Sequence, residues 1–157
     1  MSVTINPTVK MLPLQDQVIA ALEAYLPNGT AVTSVYRSAE DQLKTLIRFA
    51  NKNGYKFENA PTLSDRGSWS PALAYVKKKG IKIAAPGSSQ HEKGIAFDLS
   101  GPDLKAIHEG VNAAISDGVI SVRKIIHEVA NHCVHVEVTS VSYGNNITFL
   151  QPFEINL

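Results

Sequence analysis

Cysteine occurs once in this chain of 157 residues, tryptophan occurs once, and acidic and basic side chains together make up only 18%. A lone Cys133 cannot close an internal disulfide, so the fold does not depend on an oxidising compartment. Low charge beside 44% hydrophobic residues excludes a disordered chain and a highly charged solvated scaffold. An excess of one sign is also missing: fifteen Lys and Arg face fourteen Asp and Glu, for a net charge of +1. Nucleic acid and acidic lipid both require a concentrated cationic face, so neither is expected as a partner. No run approaches the roughly 18 apolar residues of a membrane span. Met1 to Pro7 lack a basic region followed by an apolar stretch, so no Sec-type signal peptide is expected. The expectation is a soluble protein, made in the cytoplasm, in a single domain over residues 1–157, and a monomer. A chain this long buries roughly 70% of its unfolded surface and needs no staples.

What is present is ordered by Pro, Gly and Asn. Leu14, Val18, Ala21, Leu22, Tyr25 and Leu26 recur at helical spacing between Pro13 and Pro27. Thr30 to Tyr36 is rich in β-branched residues and predicts a strand. Ser38 then caps a helix, with Asp41 three residues on in place of the usual Glu or Gln. That helix carries Leu43, Leu46, Ile47 and Ala50 on one face and ends near Asn53 and Gly54. Tyr55 to Gly67 has no clear period. A helix follows Ser70 and Pro71 and stops at Gly80; its Lys77, Lys78 and Lys79 could meet an anionic partner but more simply suit the helix C-terminus and a solvated face. A short strand over 94–99, a helix over 102–117 and two strands over 122–128 and 133–138 complete the pattern, the last two joined as a hairpin. Gly144, Asn145 and Asn146 predict a turn, with one more strand in the tail. Strands gathered in the C-terminal half and joined by a hairpin indicate α+β with a mainly antiparallel sheet and helices packed on it.

Two segments carry the chemistry. In the first, His91 sits in a loop entering a strand, and Asp98 faces away from Phe97 and Leu99. Gly94 lets the chain turn tightly between them. An imidazole and a carboxylate so placed suit two ligands of a zinc site, but describe a surface histidine and a strand-end acid as well. In the second, His135 lies in a β-branched strand, with His132, Cys133 and Glu137 close by. That company puts the metal reading level with a hydrogen-bonded core histidine.

Ser89, His91, Gly94, Ala96 and Asp98, followed some forty residues later by Val134, His135, Val136 and Glu137, resemble the zinc peptidases of the D-Ala-D-Ala carboxypeptidase and L-alanyl-D-glutamate endopeptidase superfamily. The hedgehog signalling domain shares that fold. Ser34 to Ser38 and Gln42 look like the family's strand-end arginine and the glutamine of the following helix, so the resemblance covers roughly residues 30–138. It implies one Zn²⁺ held by His91, Asp98 and His135, with a fourth position open to water. It implies hydrolysis of peptidoglycan stem peptides, by a D-Ala carboxypeptidase or an L-Ala–D-Glu endopeptidase such as a phage lysis or virion-associated enzyme. A zinc-stabilised binding domain without catalysis is the alternative.

Carried over by position, Glu128 is the general base. Some relatives place an acid three residues before the second ligand histidine. Here His132 stands there, read as a polar group beside the oxyanion. Arg37 binds a substrate carboxylate or the oxyanion, and Ser89 and Gln42 line the substrate site. Glu137 supports the metal ligands from behind, and Cys133 is a small buried neighbour. His108 and His127 have no role in this reading. The segment over residues 55–85 interrupts the family core and is expected to flank the cleft; Trp69 is a candidate wall residue, with a simple packing role the favoured reading.

Overall fold

The computed structural model describes residues 3–143 and 146–153. Its strands are β1 (Val3–Ile5), β2 (Thr30–Ser34), β3 (Ala96–Ser100), β4 (Ile120–Glu128), β5 (Cys133–Tyr143) and β6 (Asn146–Phe149). Its helices are α1 (Gln15–Leu22), α2 (Ala39–Lys52), α3 (Ser70–Lys78) and α4 (Leu104–Ser116). The sheet runs β1-β2-β3-β5-β4, with β6 paired to β5 beside that path. Only β1 and β2 are parallel among the described pairings, so the class is α+β with a mixed, mainly antiparallel sheet. The turn expected at Gly144 and Asn145 lies outside the described residues.

Alternation along the strands divides the sheet into two faces. Val32, Phe97, Leu99, Val134, Val136 and Val138 are buried together under Val18, Leu22, Ile107 and Val111 of α1 and α4. Each such side chain contributes about 1.5–3 kcal/mol through its removal from water. The residues between them, Asp98, His135 and Glu137, therefore fall on the opposite face. α2 borders the cleft on that face. Its capping box is complete: the Ser38 hydroxyl accepts from the Asp41 amide, and the Asp41 carboxylate accepts from the Ser38 amide.

A second core forms away from the sheet. Leu43, Leu46 and Ala50 of α2 pack with Trp69, Ala72, Leu73 and Val76, and Tyr55, Phe57 and Tyr75 close its edge through ring contacts. Trp69 is 1% exposed and belongs to this core, so of the two roles weighed for it, cleft wall and packing, it takes the packing one.

Two bulges face the site. The β2–β3 register shifts between Val32 and Ser34, which places Ser34 opposite Asp98. The β4–β5 register shifts between Val122 and Lys124, so Arg123 and Lys124 together oppose the single step from Val138 to Glu137. Extra residues of this kind re-aim the side chains that follow them.

Candidate metal centre

His91 is delivered by a tight turn over residues 90–94. Its carbonyl accepts the Gly94 and Arg37 amides, and its own amide donates to Ser89 Oγ. Gly94 has φ +79°, which favours glycine, and a Cβ there would also press on the Phe153 ring at 3.2 Å. Behind the turn, the buried Glu92 carboxylate accepts the amides of Gly87 and Ser89. Burial pushes the Glu92 carboxyl up, against the pull of those amides.

The ring orientations follow from their hydrogen bonds. His91 Nδ1 lies 2.7 Å from the Val35 carbonyl, which can only accept. The proton is therefore on Nδ1, and Nε2 presents a lone pair 3.1 Å from Asp98 Oδ2. His135 Nε2 lies 2.7 Å from Glu137 Oε2, and its Nδ1 lies 2.9 Å from Asp98 Oδ1. With Nε2 donating to Glu137, the Nδ1 lone pair turns toward Asp98 and His91. One ligand atom each from His91, Asp98 and His135 thus lies within 4.8 Å of the others. All three residues are buried or nearly so, at 3%, 9% and 9% exposure.

This donor set fits a zinc ion. Two neutral imidazoles and one carboxylate are a common three-ligand arrangement, and each histidine has its far nitrogen held by an oxygen acceptor. Burial pushes the Asp98 carboxyl up, but His91 and His135, when protonated and donating to it, outweigh burial and hold the group well below the usual carboxylate range. Burial likewise pushes His135 down, and Asp98 and Glu137 outweigh it, leaving the ring more basic than usual.

Arg37 forms the next layer. Its Nε and one terminal nitrogen donate to Ser34 Oγ at 3.1 and 2.8 Å, the other terminal nitrogen donates to Gln42 Oε1 at 2.8 Å, and Asp98 Oδ2 lies 3.4 Å away. Gln42 passes the constraint on by donating to the Ala84 carbonyl at 2.9 Å. Burial lowers the Arg37 pKa, partly offset by the charge of Asp98.

These residues sit in a cleft of about 630 Å³ that also exposes Ser89, Gln42 and Glu128. Glu128 Oε2 accepts from Asn131 Nδ2 at 2.7 Å, and the Cys133 thiol approaches the same oxygen at 3.8 Å. Burial first, then the charges of Asp98 and Glu128, push the Cys133 thiol up, which keeps it protonated. Cys133 lies opposite Glu128 in the ladder and is outside the group of three ligands.

His132 is the residue the structure does not bring in. It ends a 3₁₀ turn in the left-handed region at φ 50°, its side chain is exposed, and it does not line the cleft. His132 thus stands apart from the three ligands and from the cleft lining. His108 and His127 meet each other edge to face, 6.5 Å apart, away from the cleft. Conversely, Arg48, Lys82 and Lys124 line the cleft beside Lys77, and the sequence reading gives those three no role. Lys77 is exposed, as expected of residues 77–79, and it also borders the cleft. Only their convergence in space marks these cations, and no local spacing carries it.

No family model matches the chain, and no curated protein matches it. Among solved structures, it is similar to a variant of the vancomycin resistance D,D-pentapeptidase VanY from a VanB-type resistance cassette, solved in complex with Zn(II). The identity is 20% and the TM-score 0.37, over 70% of this chain and 61% of that one. The chain therefore spans less than two thirds of that protein's length.

Proposed function

We propose that this chain is a zinc peptidase that hydrolyses peptidoglycan stem peptides. The observation that carries the reading is the convergence of His91 Nε2, Asp98 and His135 Nδ1 on the floor of an open cleft that also exposes Arg37 and Glu128. A structural zinc site is closed by a fourth protein ligand, whereas here the described residues supply three.

Zinc held by these residues supplies Lewis acidity to a peptide carbonyl and brings the pKa of its water toward about 7. The chain's own residues do the rest. Glu128, the cleft carboxylate outside the ligand group, takes the proton of the attacking water and passes it to the leaving amine. Arg37, held as a rigid fork by Ser34 and Gln42, aims its remaining donor capacity at a substrate carboxylate or the developing oxyanion. Ser89 and Gln42 line the substrate site. Lys77 and residues 81–84 line the cleft, which supports a segment over residues 55–85 that flanks it.

Mass spectrometry of muropeptides digested with the zinc-loaded protein tests this. New products lacking D-Ala, or cut after L-Ala, are expected, and they vanish on chelation. An unchanged digest at full zinc loading leaves the zinc-stabilised binding domain as the better reading.

A further inference from the structure

The chain as a whole is nearly neutral, but its cleft is not. Five cationic side chains line it, Arg37, Arg48, Lys77, Lys82 and Lys124, against the three acids Asp98, Glu128 and Glu137. Two of the acids are already matched. Glu137 Oε1 accepts from Arg123 at 2.8 Å, and Asp98 is held between His91, His135 and Arg37. Arg48, Lys77, Lys82 and Lys124 form no ion pair among the described residues.

Their positions are set by the fold. They come from α2, the end of α3, the loop after it, and β4. The bulge at Arg123 lets that residue bind Glu137 while its neighbour Lys124 faces the cleft. Lys82 is carried by a loop tied down on both sides, since its carbonyl accepts from Asn131 and the Ala84 carbonyl accepts from Gln42. Arg48 also lines the adjoining cavity of about 400 Å³, together with Lys44 one helical turn away. Scattered surface lysines need no explanation. Four unmatched cations from four elements, turned into one concavity above a metal centre, raise the local potential and draw anions into it.

We infer that the cleft selects an anionic peptide, one whose side-chain carboxylates lie away from the bond cut and meet Arg48, Lys77, Lys82 and Lys124. This rests on the peptidase reading for the cut itself, but not for the binding. All four heads are exposed, so the selection acts through a screened field and depends on salt.

The test uses the zinc-loaded protein and two stem-type peptides of one sequence, with side-chain carboxylates free in one and amidated in the other. At low salt the acidic peptide is expected to show about tenfold higher kcat/KM. In about 0.5 M salt the preference shrinks to about threefold or less. K77Q/K82Q and R48Q lower the ratio toward one with zinc content unchanged, whereas K105Q, on α4 outside the cleft, keeps it. Equal kcat/KM for the two peptides, or a ratio indifferent to these substitutions, overturns the inference. If neither peptide is cut, calorimetry decides: tighter, salt-sensitive binding of the acidic peptide supports the subsite while the peptidase reading falls, and equal binding overturns the subsite.

Discussion

Glu137 and His135 stand two residues apart on one strand, and the Glu137 carboxylate holds His135 Nε2 at 2.7 Å while accepting from Arg123 on its other oxygen. Residues at i and i+2 share a face of a sheet, so a three-residue stretch supplies both a ligand and the acid that orients it. Removing that acid frees the ring to rotate and lowers its basicity. We expect Glu137→Ala to weaken zinc binding about 10–100-fold. Chelator competition reads this without any activity assay. Glu137→Gln retains one oxygen acceptor and should recover part of the loss, while an affinity equal to wild type in both variants rules out an orienting role.

Glu128 and His132 make opposite predictions. The carboxylate lines the cleft, whereas the imidazole lies outside it. Glu128→Gln should lower kcat by about 10²–10⁴ with one zinc still bound, as loss of a general base does. His132→Ala should leave kcat within about twofold, as expected of an exposed residue away from the reacting atoms. Stem-peptide turnover measured beside metal content decides, and the reverse pattern would transfer the base role to His132.

Much of this arrangement is legible in the sequence. Period-2 alternation placed Asp98 opposite Phe97 and Leu99, and His135 opposite Val134 and Val136; the ladder pairs Asp98 with His135 directly. The Ser38–Asp41 box was readable because a capping box is local chemistry. What escaped was long-range. β1 has three residues, too few to show a period, and exists by pairing in parallel with β2. α1 ends at Leu22 although Leu26 remains buried, because apolar spacing persists after the backbone has left the helix. His132 is exposed because the 3₁₀ turn closes on a left-handed residue, which spacing along a strand cannot reveal. The cationic lining is assembled from four elements, and of its members only Lys77, in the run over residues 77–79, stands out along the sequence.

The capping box also carries a pH signature. Burial pushes the Asp41 carboxyl up, but Lys10 at 2.6 Å and the Ser38 hydroxyl and amide outweigh it, and its pKa falls below the ordinary value. A depressed folded value contributes stability that is complete above the unfolded pKa of about 3.9 and is lost as pH falls through the folded one. Asp41→Asn should therefore cost about 0.5–1 kcal/mol at pH 6, and the gap to wild type should close below about pH 4. Urea unfolding across that range reads both the gap and its closure. A gap that persists in acid assigns the effect to packing.

Helix propensity and packing disagree at Gly110, in the middle of α4. Alanine is favoured over glycine there by about 1 kcal/mol in an isolated helix. A Cβ at this position would overlap the Tyr25 carbonyl oxygen, which is backbone and cannot swing aside. Tyr25 is further tied to the end of α4 by its hydroxyl, which donates to Asp117 at 2.8 Å. Packing should win, with Gly110→Ala destabilising by about 1–3 kcal/mol. A thermal midpoint at or above wild type would mean that α4 and Tyr25 can separate at little cost.

Arg37 distinguishes charge from shape. Its guanidinium spans Ser34 Oγ and Gln42 Oε1 at once and still lies 3.4 Å from Asp98. A lysine ammonium keeps the positive charge but is one point on a flexible stem, so it cannot reach both partners in a fixed plane. If Arg37 acts only as a charge that attracts substrate, Arg37→Lys should raise KM and leave kcat alone. If it acts as a planar donor on the oxyanion or on a clamped carboxylate, kcat should fall by about 10²–10³ with KM less affected. The rigid support from two neutral side chains favours the second outcome, because neither Ser34 nor Gln42 neutralises the charge and both fix the plane. Gln42→Ala should then reproduce a weaker form of the same kcat defect, with zinc content unchanged. A kcat unaffected in both variants would remove Arg37 from the chemistry and leave it as a structural brace between β2 and α2.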